Sequence, residues 1–256
     1  MMRTPSGFML SAGLPMQPKA VNQMEPAGMS NPHDESPINP LPPVVVVLAL
    51  LLFGIEVVLT LGGRGLIGGP DAVGWRLEAI QRFAFSGDIL DWMLANGIYP
   101  PDQLIRFVTY PLIHVSFTQM IFVVVFLLAL GKMAGEVFSW WAVLLIFFGA
   151  SIVGALAYGL LLNEGVPLVG GYPAVYGLIG SFTFLMWVDL AVQGANKYRA
   201  FSLIAMLLGI QLVFGILFGG ARDWVADFAG FLTGFGLSFV LVPGGWQRVL
   251  AVVRRR

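Results

Sequence analysis

Cysteine is absent from the 256 residues. That excludes disulfides and thiol catalysis, but it identifies no compartment. Histidine is scarce, with His33 and His114 the two in the chain. Charge is scarce as well. Only 11% of residues are charged and the formal net charge is zero, against about 25% charged in a soluble domain. There is no basic excess to attract nucleic acid. His-Glu-x-x-His is missing, which removes zinc proteolysis of that type. No pair of intramembrane aspartates stands in a Gly-x-Gly-Asp setting, which removes aspartyl proteolysis. The lysines Lys19, Lys132 and Lys197 lie in the N-terminal tail or near span ends, away from any candidate serine. No metal or cofactor pattern occurs, and neither is expected.

What the chain has instead is long apolar runs. Residues 36–55, 115–131, 137–163, 165–188, 200–221 and 228–247 contain no Asp, Glu, Lys or Arg. A helix needs about 20 apolar residues to cross the hydrocarbon core, and lipid leaves the backbone no other partner than itself. Six helical spans are therefore expected, near 44–61, 115–134, 138–162, 172–192, 201–220 and 224–243. Val44-Val45-Val46-Val47 is β-branched, but backbone satisfaction outranks propensity in lipid.

The segments between the spans differ in character. Residues 1–43 hold nine of the sixteen prolines and read as a disordered tail. Residues 63–114 form a long first loop. In it Trp75, Leu77, Ile80, Phe83, Ile89, Leu90, Trp92 and Met93 recur at near-helical spacing among charges. One or two interfacial helices are expected there, with Trp75 and Trp92 at headgroup level and Pro100-Pro101 ending the second. Residues 244–256 form a basic tail. Lys132, Lys197, Arg199, Arg248 and Arg254 to Arg256 fall on one side if the spans alternate, so both termini are expected in the cytoplasm. Arg64, Arg76, Arg82 and Arg106 fall on the other side, balanced by Asp71, Glu78, Asp88, Asp91 and Asp102.

Three stretches carry a resemblance. Arg106-Phe107-Val108-Thr109-Tyr110-Pro111-Leu112-Ile113-His114 is similar to Trp-Arg-x-x-Thr-x-x-x-x-His, with Ile105 in the tryptophan's place. Gly170-Gly171-Tyr172-Pro173-Ala174-Val175-Tyr176-Gly177-Leu178-Ile179-Gly180 is similar to Gly-x-Ser-Gly-Ala-Val-Tyr-Gly-Leu-Ile-Gly. Ala229-Gly230-Phe231-Leu232-Thr233-Gly234 is similar to Ala-His-x-x-Gly-Gly. Gly131-Lys132-Met133-Ala134-Gly135-Glu136 adds a looser match. Together they resemble the rhomboid family of intramembrane serine proteases over about residues 44–243. The resemblance implies an all-α, six-helix membrane bundle with a long helical first loop. It also implies a degenerate site. Tyr172 stands at the serine and Gly230 at the histidine, while Gln119 and Val123, counted from His114, stand at the oxyanion donors. No catalytic residue is then left. The expected function is a pseudoprotease that binds transmembrane helices without cutting them. The alternative is an intramembrane serine endopeptidase with a non-standard active site.

The remaining groups have plainer readings. Ser181, nine residues beyond Tyr172, is expected to bond a backbone carbonyl. His114 is expected to anchor the chain at the membrane edge. Asp227 is expected near the outer headgroups, and Glu56 stands open between that role and a relay or client contact. Gly177, Gly180, Gly230 and Gly234 form small-residue strips, expected to pack two spans of one chain together; homodimerisation is the other reading. Membrane lipids and transmembrane clients are the expected partners. The expected location is a bacterial inner membrane.

Overall fold

The computed structural model describes residues 40–162, 165–218 and 223–244. The tail expected over 1–43 lies almost wholly outside the described residues, as do His33 and the basic residues after 244.

Helix α1, Pro43–Gly63, opens the fold, with Pro43 in its first turn, where a missing N–H costs nothing. The long loop follows. It contains α2, Trp75–Phe83, and α3, Gly87–Asn96. Two short turns of helix come next, α4, Pro101–Leu104, and α5, Arg106–Thr109. Helix α3 ends at Gly97, which takes a left-handed φ of 64°. That conformation suits glycine. Pro100-Pro101 therefore does not end α3, as its sequence position implied. Pro101 starts α4 instead, for the same reason that Pro43 starts α1.

The remaining helices are α6, Phe117–Val137; α7, Trp140–Leu161; α8, Tyr172–Val192; α9, Ser202–Phe218; and α10, Trp224–Leu241. By length and composition α1, α6, α7, α8 and α10 can each cross a membrane. The sixth expected span, α9, is described over Ser202–Phe218, directly before residues that lie outside the described set. The molecule is an all-α, polytopic membrane protein.

Helix α8 sits at the centre. Every residue from Pro173 to Ser181 is buried, and α6, α7 and α10 pack around it. Lipid-facing helices instead show large apolar side chains, such as Val47 and Leu50 of α1 or Phe122 and Val125 of α6. Helix α1 lies close on α6, because a Cβ at Gly131 would stand 2.9 Å from Val45. Without a hydrophobic drive between helices in lipid, such close backbone approach is what dispersion rewards.

One ion pair fastens the loop to the bundle. Glu56 of α1 is 1% exposed, and Arg76 of α2 reaches it at 2.6 Å. Arg76 also contacts Glu56 Oε2 at 3.1 Å and donates to the His114 carbonyl at 2.7 Å. Thr60 donates to Glu56 at 2.9 Å. Glu56 is paired within the protein. It tethers the loop, because a buried carboxylate in lipid needs a cation and hydrogen bonds to offset its desolvation.

Candidate functional site

The site is built where the turn before α8 meets the start of α6. Ser116 caps α6 by accepting from the Gln119 N–H at 3.2 Å. The Gln119 side chain folds back, much as in a capping box. Its Oε1 accepts from Val115 N–H at 2.9 Å, and its Nε2 donates to the Val169 carbonyl at 3.4 Å. Both ends of that amide are therefore engaged locally.

The turn itself is held from several sides. Leu168 and Phe85 exchange backbone bonds of 2.8 and 3.1 Å. Gly170 has φ of 103° and donates to the Tyr110 carbonyl at 3.1 Å. A side chain there would press on the Gln119 amide, and one at Gly171 would press on Val123 and the Pro111 carbonyl. The turn needs glycine at both positions, at the first for its dihedral and at both for space. His114, Gln119 and Val123 thus surround Gly170 and Gly171, directly before Tyr172.

His114 is fully buried. Its Nε2 accepts from the Gly171 N–H at 3.4 Å, so the ring proton sits on Nδ1, which has no partner. Burial pushes the imidazole down to about 4, and Arg76 reinforces that while Glu56 opposes it. The ring is neutral at pH 7. It is a buried acceptor that fixes the turn, not an anchor at the membrane edge. Beside it, the Tyr110 phenol donates to the Ser151 carbonyl at 2.7 Å. Burial keeps that phenol protonated, well above its ordinary range.

Tyr172 begins α8 and is partly buried, with Pro173 in the same first turn. The carbonyl of Pro173 lies directly against Gly230, so a Cβ at Gly230 would overlap it. This backbone has no room for any side chain at Gly230. Gly234 lies against the backbone of Gly177, and Gly180 against the backbone of Phe231 and Phe235. The four glycines line one contact, between α8 and α10. Gly236 faces open space.

The acid one turn before Gly230 stands in the first turn of α10. Asp227 is only 2% exposed, and it accepts from Gln211 Nε2 of α9 at 2.8 Å. A carboxyl tolerates such burial only with a donor at hand. Ser181 hydrogen-bonds the Gly177 carbonyl at 3.2 Å and the Gly234 carbonyl at 3.5 Å. Ser151 and Ser238 likewise bond carbonyls of their own helices.

Two functional partners escaped the sequence reading, Arg76 and Gln211. The signal was indirect. Glu56 and Asp227 each demanded a donor, but which loop arginine or span amide supplied it depended on the tertiary arrangement.

Residues 101–244 match the family model of the rhomboid domain, more than half of the chain. The chain belongs to the rhomboid family. This rhomboid is 28% identical over 138 residues to RHOMBOID-like protein 2 of Arabidopsis thaliana. The match covers 53% of the chain and 42% of that relative, so the rhomboid described here spans well under half the relative's length.

Proposed function

We propose that this rhomboid binds single transmembrane helices of other membrane proteins and does not cleave them. The observation that carries the reading is the pairing at the head of α8. Tyr172 occupies the place of the family's serine, and the backbone beneath it is closed by Gly230 against the Pro173 carbonyl. That contact also argues for a register one turn earlier in α10. Ala226-Asp227-Phe228-Ala229-Gly230 fits Ala-His-x-x-Gly with Gly230 as the packing glycine and Asp227 at the imidazole. In either register no histidine is present. The Tyr172 phenol has no histidine beside it to take its proton, and the Asp227 carboxyl is engaged by Gln211. Oxyanion stabilisation is weakened too, since Val123 is apolar and the Gln119 amide is engaged in the turn.

The packing that shapes the bundle is kept while these chemical groups are not, which favours binding over cutting. The client helix would approach along α9, which shows Met206, Ile210 and Val213 to its surroundings. We infer further that the protein resides in a bacterial inner membrane with both termini cytoplasmic, on the strength of Lys132, Lys197 and Arg199. Lipids and client helices are its partners, and the α8–α10 glycines serve packing within one chain.

The test uses purified full-length protein in bilayers. It is incubated with a helix-destabilised transmembrane substrate and, separately, with a fluorophosphonate probe. Intact substrate and no labelling are expected. Specific cleavage, or a label on any hydroxyl, would establish the serine endopeptidase instead. Photo-crosslinking from Leu207 in native membranes should yield discrete partner proteins. Crosslinks to lipid alone reject the binding role.

A further inference from the structure

Three cavities open around α2, and they adjoin one another. The largest, about 480 Å³, is lined by Arg82, Phe83, Asp102, Gln103, Ile105 and Arg106 among others. A second, about 280 Å³, has a wholly apolar lining that includes Ile55, Leu59, Ala79, Phe83 and Leu112. The third, about 240 Å³, shares Leu59, Ala79 and Phe83 with the apolar one and Arg82 and Phe83 with the largest. Phe83 lines all three. The result is a track that is apolar at the α1 end and polar at the α4–α5 end.

The polar end is chemically incomplete. Arg106 donates Nη1 to the Ala84 carbonyl at 2.9 Å, which fixes its guanidinium. Its Nε is buried and has no partner, and the same is true of Gln103 Oε1. A donor and an acceptor are thus unpaired within the wall of one cavity, each at a cost. Arg82 is exposed, lies over the Phe83 ring at 5.4 Å, and has no carboxylate at ion-pair distance among the described residues. Asp102 lines the cavity too, and its Oδ2 accepts from Gln103 Nε2 at 3.2 Å. Two guanidiniums against one carboxylate leave the large cavity positive. Glu78 lines the linking cavity.

We propose that this track is a binding site for one anionic phospholipid. The phosphate sits between Arg82 and Arg106, and an acyl chain lies in the apolar cavity against Leu59 and Phe83. Three facts favour a lipid over a soluble anion. The apolar lining has no polar surface, it shares the Phe83 ring with the basic end, and Ile55 and Leu59 belong to a helix long and apolar enough to cross a membrane. Guanidinium recognises phosphate through paired N–H groups. The site is separate from Tyr172 and independent of whether the protein cleaves.

The test is native mass spectrometry of the full-length protein released from nanodiscs of phosphatidylcholine and phosphatidylglycerol in a 3:1 ratio. Phosphatidylglycerol should be retained well above its share of the bilayer. Arg82→Gln, an exposed change that the fold will tolerate, should lower that enrichment about five-fold, the worth of one basic residue near an anionic headgroup. Ala79→Phe fills the apolar cavity and should reduce retention of both lipids. Retention at the bulk ratio in the wild type, or enrichment unchanged by Arg82→Gln, overturns the proposal. So does an equal thermal stabilisation by inorganic phosphate alone in detergent, which would assign the site to a free anion.

Discussion

Gln211 Nε2 donates to Asp227 Oδ2 at 2.8 Å, and this bond ties α9 to α10. One face of α9, with Leu203, Ile204, Leu207 and Leu208, packs on the core, while Met206, Ile210 and Val213 turn outward. A buried carboxyl without a donor costs about 1–3 kcal/mol or more. Gln211→Leu should therefore destabilise the protein by about that much. Gln211→Leu with Asp227→Leu should recover most of the loss, because an apolar pair has nothing left unsatisfied. Denaturation in mixed micelles reads both. A double variant as unstable as the single would mean the bond carries no such role.

Two glycines of α10 differ sharply in their surroundings. A methyl at Gly234 would overlap the Gly177 backbone, whereas one at Gly236 meets nothing within 4 Å. Gly234→Ala should cost at least ~2 kcal/mol, since neither backbone can yield without moving a helix. Gly236→Ala should be neutral, or stabilising by up to ~1 kcal/mol through helix propensity. Thermal unfolding followed by circular dichroism separates the two, and equal losses would refute the packing assignment.

Removing the cation from the Arg76–Glu56 pair leaves a carboxylate that is 1% exposed. Arg76→Ala should cost about 3–5 kcal/mol and free the first loop. Limited proteolysis near α2 and α3 would show that release as faster cutting. An unchanged digestion rate would show that the loop is held by its apolar contacts alone.

The pH response follows from His114. Its imidazole sits near 4 in the fold and near 6.5 when unfolded. The folded pKa is the lower, so the unfolded chain binds more protons between those values. The stability due to the neutral ring is complete above about 6.5 and is lost as pH falls toward 4, by on the order of 3 kcal/mol in all. His114→Gln keeps an acceptor for Gly171 and should remove this component. Equal acid sensitivity of the wild type and this variant between pH 7 and pH 5 would contradict the assignment.

The two registers of α10 can be told apart by rebuilding. With Tyr172→Ser and Pro173→Gly in place, adding Asp227→His should allow fluorophosphonate labelling at position 172. Adding Gly230→His should not, and it should unfold the protein by collision with the Pro173 carbonyl. Labelling with the Gly230 change would restore the register first read from the sequence.

Composition and spacing were sufficient for the class of the molecule. Charge-free runs long enough for lipid leave only helices, because lipid supplies no hydrogen bonds to any other backbone form. The segment at Tyr172 was legible only through its resemblance to a family motif, and the crowding at Gly170 and Gly171 came from the tertiary structure. Partners and depth were not legible. Whether Glu56 met Arg76 or another of the four loop arginines depended on where α2 lies against α1. Asp227 looked terminal along the chain, yet α9 covers it and Gln211 reaches it. Gly230 matched a histidine by local pattern, but its contact with the Pro173 carbonyl comes from the α8–α10 crossing. A pattern along one helix carries no distance to the next, and the burial and bonding of a side chain are set by such distances.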